Sequence, residues 1–272
     1  MSNLTFSIEV LNHINQELST LNLHNPLRYS AVLSSIGKTT HICHQSIPLK
    51  KIQCKETVIY TSAVPLKLEK IWQQPVSEIA SGILTVLQNS ESQPIWSSLR
   101  KKDNGWLEFV ISQYGIEQWR QHLIKTPLPL SDWALPSPIP AEKLWKLQSG
   151  YELCCRWQNL YHQVYGQAQL QQITQTEINK MSSMSNEFRA SSPIQQKLLH
   201  CLLDICDRWD KLPSTQLVSQ ASQLIQTCEQ CVAVTRLSSP AARTINHWLT
   251  PSQIVLKQLL DGRLKHPIAE RF

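Results

Sequence analysis

The chain has 272 residues, long enough for two ordinary domains, with 42% hydrophobic and 17% charged residues and nine Trp; that balance excludes a disordered, high-charge polymer and supplies a buried core. A formal charge of +6, from 26 Lys and Arg against 20 Asp and Glu, suits an RNA binder without requiring one. No apolar run reaches the ~18–20 residues of a membrane span, and the first twenty residues lack a basic stretch followed by an apolar one. The eight Cys therefore read as thiols in a reducing, cytoplasmic compartment, with no membrane association expected.

In chain order, Ile8, Leu11, Ile14, Leu18 and Leu21 recur at the period of an amphipathic helix. Short β-leaning pieces follow at 39–44 and 57–60. Pro75 then opens a helix carrying Val76, Ile79, Ala80, Ile83 and Leu87 on one face, since proline suits a first helical turn whose N–H has no partner. Residues 106–112 alternate as a strand does, with Leu107, Phe109 and Ile111 on one side and Trp106, Glu108 and Val110 on the other. Ile116, Trp119 and Leu123 mark a short closing helix. Five prolines between 126 and 140 hold the chain extended and read as a linker.

Everything beyond has helical period. The apolar stripes are Leu144, Leu147, Tyr151, Cys154, Tyr161 and Tyr165; then Leu198, Leu202, Ile205 and Trp209; then Leu217, Ala221, Leu224, Cys228 and Val232; then Ile245, Trp248, Leu249, Leu256 and Leu259. Ser192-Pro193 and Pro213-Ser214 are helix starts. Thr250-Pro251-Ser252-Gln253 fits a capping box, so that Pro251 kinks or splits the last stretch, and Gly262 is placed for a left-handed cap. The polar, Gln- and Ser-rich residues 171–190 read as a surface insertion. The expected fold is thus an α+β N-terminal domain, residues 1–126, a Pro-rich linker, 127–140, and an all-α helical bundle, 141–272.

Several residue sets invite chemistry. Cys228-x-x-Cys231, with Cys201 and Cys206, has zinc-like spacing, but Cys228 lies on an apolar helical stripe and no second Cys-x-x-Cys exists; buried structural thiols are the stronger reading. His41, Cys43, His44 and Cys54 are weighed the same way. No nucleophile, metal site or cofactor is expected. Cations gather at Arg100-Lys101-Lys102, and at Arg243, Lys257, Arg263, Lys265 and Arg271, with Trp248 and Phe272 nearby. Phosphates need cations, and unstacked bases need aromatic faces. The bland alternative is a solvated helix face with Trp248 in the core.

Two stretches carry a resemblance. The C-terminal segment, from Ala242-Arg243-Thr244-Ile245 through Pro251 and Val255-Leu256 to Pro267-Ile268-Ala269-Glu270-Arg271-Phe272, resembles the end of the DALR anticodon-binding domain of arginyl-tRNA synthetases. Tyr151 to Trp157, with Cys155-Arg156, is loosely similar to that domain's opening helix. Pro75-Val76-Ser77-Glu78-Ile79-Ala80 and Gly105-Trp106-Leu107-Glu108-Phe109-Val110-Ile111-Ser112 look like elements of the additional N-terminal domain of the same synthetases. The resemblance implies a tRNA-facing module joined to a DALR-like helical bundle, with the class I catalytic domain missing between them. Its His-Ile-Gly-His and Lys-Met-Ser-Lys-Ser elements are absent; Lys180-Met181-Ser182-Ser183 lies in the wrong context. The expected function is tRNA binding without aminoacylation, with the arginine-accepting species the first to consider. The RNA-facing candidates are Arg100, Lys101, Lys102, Glu108, Arg156, Arg243, Trp248, Lys257, Lys265, Arg271 and Phe272. Glu108 replaces the family's Asn, and a carboxylate there disfavours phosphate. The alternatives are a protein-interaction or assembly factor that kept the fold without the RNA, and an arginine-tRNA ligase that works only with a separate catalytic chain.

Overall fold

The computed structural model describes residues 49–52, 57–88, 95–128, 139–166 and 192–266. The expected opening helix, the 39–44 piece, His41, Cys43, His44, Cys54, the 171–190 insertion, Lys180 to Ser183, Arg271 and Phe272 lie outside them. The chain divides into two compact units between Glu117 and Gln118.

The first unit holds a four-stranded antiparallel sheet of order β1-β2-β4-β3, built from β1 (Leu49–Ile52), β2 (Ile59–Ser62), β3 (Trp96–Lys101) and β4 (Leu107–Ile111). Two helices, α1 (Val64–Trp72) and α2 (Val76–Gln88), pack on each other, and α2 packs on β3. The period-two pattern of β4 sends Leu107, Phe109 and Ile111 into the core, where Phe109 is fully buried and meets Trp96 edge-on. Ile79, Ala80, Ile83 and Leu87 are the buried stripe of α2, as their spacing predicts. β1, β3 and α1 are additions to the elements read from the sequence: LKKI and WSSLRK are too short and too polar to stand out by period.

Between β3 and β4 the chain turns through Asp103, Asn104 and Gly105. Gly105 N donates to Lys102 O (2.8 Å) and Lys102 N to Trp106 O (2.8 Å). Gly105 has φ +80°, and a Cβ there would run into Val76 of α2, so both the turn and the helix contact require glycine. The helix α3 (Gln113–Lys125) follows β4, with Ile116, Trp119 and Leu123 buried.

The second unit is helical: α4 (Ala141–Tyr165), α5 (Pro193–Asp207), α6 (Ser214–Val234), α7 (Pro240–Lys257) and a wider π-helical turn, Gln258–Arg263. Contacts along the helices fix their directions. Gly150 of α4 meets Ile225 of α6, and Cys154 meets Cys228 one turn on, so these two helices run parallel. Gln158 Nε2 donates to Thr250 Oγ1 (3.3 Å) and Gln253 Nε2 to Cys155 Sγ (3.0 Å), so α7 runs against α4. Cys231 Sγ reaches Ile194 O, and Cys201 Sγ reaches Thr227 Oγ1, so α5 runs against α6. The result is an up-down-up-down arrangement with apolar stripes turned inward.

Helix starts follow the sequence at Ser192, whose side chain and Gln195 form a reciprocal capping box. Two other expectations are corrected. Thr250-Pro251-Ser252-Gln253 does not cap a helix; it lies inside the unbroken α7. Pro251 offers no N–H to the His247 carbonyl, while Thr250 Oγ1 and Ser252 Oγ bond back to Asn246 O (3.1 Å) and Trp248 O (2.8 Å). Gly262 lies within the π-helical turn, and the left-handed residue is Lys265, φ 52°; His266 N then donates to Leu260 O (3.0 Å).

A Cβ on Gly150 would clash with Ile225. Gly150→Ala should therefore lower stability by about 1–3 kcal/mol through overpacking, read as a shift in the urea midpoint. Adding Ile225→Ala should recover part of the loss in a double-mutant cycle.

Candidate nucleic-acid interface

Glu108 organises the basic hairpin of the first unit. It sits mid-β4, paired in register with Thr61 of β2 and Arg100 of β3. Its side chain is 7% exposed, and Arg100 Nε donates to Oε1 at 2.5 Å while Lys102 Nζ donates to Oε2 at 2.6 Å. The hydrogen bond from Lys102 is the largest influence on its titration; with Arg100 it holds the carboxyl below the usual range, against the opposing effect of burial. The two cations remain open, at 62% and 41% exposure. The carboxylate is thus covered while its two counterions, bonded to it through their nitrogens, stay partly open to solvent.

The Arg-Lys-Lys run is not a single patch. A strand sends neighbours to opposite faces. Lys101 accordingly leaves the Glu108 side and reaches α2, donating to Ser81 Oγ (3.2 Å) and approaching Ser77 O (3.5 Å). Arg100, Lys101, Lys102, Asp103, Asn104 and Glu108 line an open cleft at the hairpin tip. One cation was not legible beforehand: Lys50, exposed on β1, pairs with Thr61, which places it two strands, roughly 10 Å, from Glu108 on the same face. Cross-strand register is the only signal for it, and β1 itself is too polar to announce that register.

In the helical unit the candidates disperse. Arg156 is exposed on α4 and bridged to Glu152 one turn before, at 2.7 Å. Trp248 is 2% exposed, a core side chain whose ring is closed to a stacked base. Arg243 and Lys257 lie near opposite ends of α7, about 20 Å apart at 1.5 Å per residue, and Lys265 follows the π-helical turn at the Lys257 end. Arg263 is buried, donates from Nη2 to Leu212 O (2.8 Å), and lies over the Trp209 ring at 5.7 Å. It serves the packing of the turn. Among the described residues the most exposed aromatic is Trp145 of α4, at 69%; sequence reasoning passed over it because it lies off the apolar stripe beside Leu144.

The cysteines are packing residues. Cys154, Cys206, Cys228 and Cys231 are fully buried. Cys154 and burial push the Cys228 thiol well up, opposed by the Ser252 hydroxyl, and burial pushes Cys231 to about 12. Among the described residues no group of three or more His, Cys, Asp or Glu could hold a metal ion, and no helix is long and apolar enough to cross a membrane. Comparison with protein-family models, with curated proteins and with solved structures finds no match.

The depressed Glu108 carboxyl sets a sign for pH dependence. Its contribution to stability is complete above the unfolded value of about 4.3 and is lost as pH falls through the lower folded value. Glu108→Gln should cost on the order of 1–2 kcal/mol at pH 7, a figure reduced for the exposure of both cations. The gap from the parent protein should close as urea titrations are carried below pH 4. In native protein at pH 8, iodoacetamide should modify Cys228 and Cys231 at the rate of bundle opening, and both should react promptly in denaturant, as mass spectrometry can follow.

Proposed function

We propose that this chain is a non-catalytic tRNA-binding protein related to the arginyl-tRNA synthetases, with the additional N-terminal domain and the DALR-like bundle kept and the catalytic domain absent. The observation that carries the reading is the Glu108 hairpin. A carboxylate in this place would repel phosphate if it faced solvent; buried behind Arg100 and Lys102, it instead fixes the positions of two exposed cations at a turn that glycine lets close against α2. Preordered cations lose less conformational freedom on meeting phosphate oxygens than free ones. The modest net charge of +6 suits a folded RNA held weakly by each of two units, with affinity gained from their covalent connection.

A second reading, an assembly factor for another protein, is favoured by Leu160 and Val164, exposed at 46% and 55% on one face of α4. Co-purification separates the two: RNA travelling with the protein supports the first, a protein partner without RNA the second.

Purified full-length protein should shift tRNA at micromolar concentration, with affinity falling steeply as salt rises. Reversing charge with Arg100→Glu and Lys102→Glu should weaken binding by about tenfold or more and flatten the salt slope by about two phosphate contacts. The chain alone should give no arginine-dependent exchange of pyrophosphate into ATP. A salt-independent affinity, or no shift at all, overturns the proposal.

A further inference from the structure

A helix at the edge of a bundle buries one apolar stripe and turns its polar side to water. Helix α4 carries apolar residues on both sides. It packs on α6 through Gly150 and Cys154 and on α7 through Cys155 and Gln158, and at about 100° per residue these four occupy one side of the helix. The opposite arc, about 120° wide, holds Trp145, Glu152, Leu153, Arg156, Leu160 and Val164. Leu153 is half-buried, while Trp145, Leu160 and Val164 are open to solvent, Trp145 at 69%. Single exposed apolar residues are ordinary on a protein surface; four on one arc of one helix form an apolar seam.

The seam is self-complementary. Trp145 lies eight residues before Leu153 and Leu160 seven after it, about 12 and 10 Å along the axis. Turning a second copy end for end about Leu153 therefore brings each Trp145 over Leu160 of the other copy, with Val164 one turn beyond and the two Leu153 side chains facing each other. Glu152 and Arg156 straddle the same point. Within one chain they form an ion pair at 2.7 Å in which both side chains remain partly open. Across the two-fold axis the carboxylate of each copy falls beside the guanidinium of the other, closing a ring of four alternating charges. A parallel arrangement would set Glu152 against Glu152 and Arg156 against Arg156, which like-charge repulsion disfavours.

We infer that this arc of α4 is an interface between two copies of this chain, which pair antiparallel across a two-fold axis near Leu153. An isologous contact needs one patch that matches itself, and the order of apolar and charged groups about Leu153 meets that condition. Glu152 and Arg156 balance at the centre of the arc, so net charge there does not draw phosphate. The sequence of ring, acid, leucine, guanidinium and leucine returns in reverse on a second copy, a spacing that an unrelated chain has no reason to repeat. One helix pair buries less surface than a standard stable interface, so association belongs to the micromolar range. The inference rests on neither functional reading; it assigns Leu160 and Val164 to a second copy rather than to a foreign protein.

The test is sedimentation equilibrium of the full chain over about 1–100 µM, the range such a contact implies. The weight-average mass should rise from that of one chain toward that of two. Trp145→Glu and Leu160→Glu, which put a carboxylate into the apolar seam, should each weaken self-association by about tenfold or more. Glu152→Arg and Arg156→Glu should each weaken it by about tenfold through like charges across the axis. An equimolar mixture of those two variants should associate again, because the cations of one copy then meet the acids of the other. Tyr114→Ser, at an exposed ring of the first unit, should stay within about twofold. Thermal melts establish that each variant is folded; should one charge variant prove unstable, Trp145→Glu and Leu160→Glu decide the matter alone. A mass that stays at one chain throughout overturns the inference, and so does a dimer that Trp145→Glu and Leu160→Glu leave unchanged. A chain that remains monomeric yet holds a different protein, released by Leu160→Glu, overturns the second copy as occupant and favours the assembly-factor reading instead.

Discussion

At Gly150 the backbone of α4 comes so close to Ile225 of α6 that no side chain fits between them. One turn on, the gap is filled by two thiols and a hydroxyl, Cys154, Cys228 and Ser252, all fully buried. Small groups at successive levels let α4, α6 and α7 converge, and the directions of the remaining contacts follow. Larger side chains at these levels would separate the helices and expose the leucine stripes of α5 and α6. The thiols are therefore the packing material of the bundle, and Cys228 and Cys231, both pushed well up, keep their protons.

The sheet solves a different problem. An ionised carboxylate buried in a strand is costly unless hydrogen-bonded and countered by charge. Glu108 meets both conditions through Arg100 on the neighbouring strand and Lys102 at the turn. The need to satisfy Glu108 gives the hairpin a fixed tip, and Gly105 allows that tip to close against Val76 of α2. Structure and charge are coupled here: the same contacts that make the buried acid tolerable hold two cations in an exposed arrangement. Lys101, on the other face, is occupied by the serines of α2. The hairpin offers less free charge than three consecutive basic residues suggest, but what it offers is ordered.

Within the helical unit, the dispersal of the candidate cations bears on how function is read from a linear chain. Arg243, Lys257 and Lys265 are close in sequence, yet a helix converts fourteen residues into about 20 Å. Residues far apart in sequence, Trp145, Arg208 and Lys265, share one end of the bundle because helices alternate in direction. Trp248 shows the converse. Its position beside basic residues suggests a base-stacking ring, whereas its place at helical spacing with Ile245 and Leu249 already identifies it as core.

What the sequence determines by itself is local: the helix that Pro75 opens, with its stripe from Val76 to Leu87, the strand within 106–112 with its buried odd-numbered face, the apolar stripes of α4 to α7 and the Ser192 cap. Each follows from a period or a cap chemistry contained within a few neighbouring residues. Short polar strands such as β1 and β3 carry no such period, and their existence depends on partners distant in the chain. The same is true of Pro251, tolerated inside α7, and of Gly262, which yields the left-handed position to Lys265. Only tertiary structure decides that Glu108 is clamped by Arg100 and Lys102 and that Lys101 is turned away. It also decides which cations of the bundle share an end. Those outcomes depend on strand register and helix direction, which are fixed when distant apolar faces are buried together.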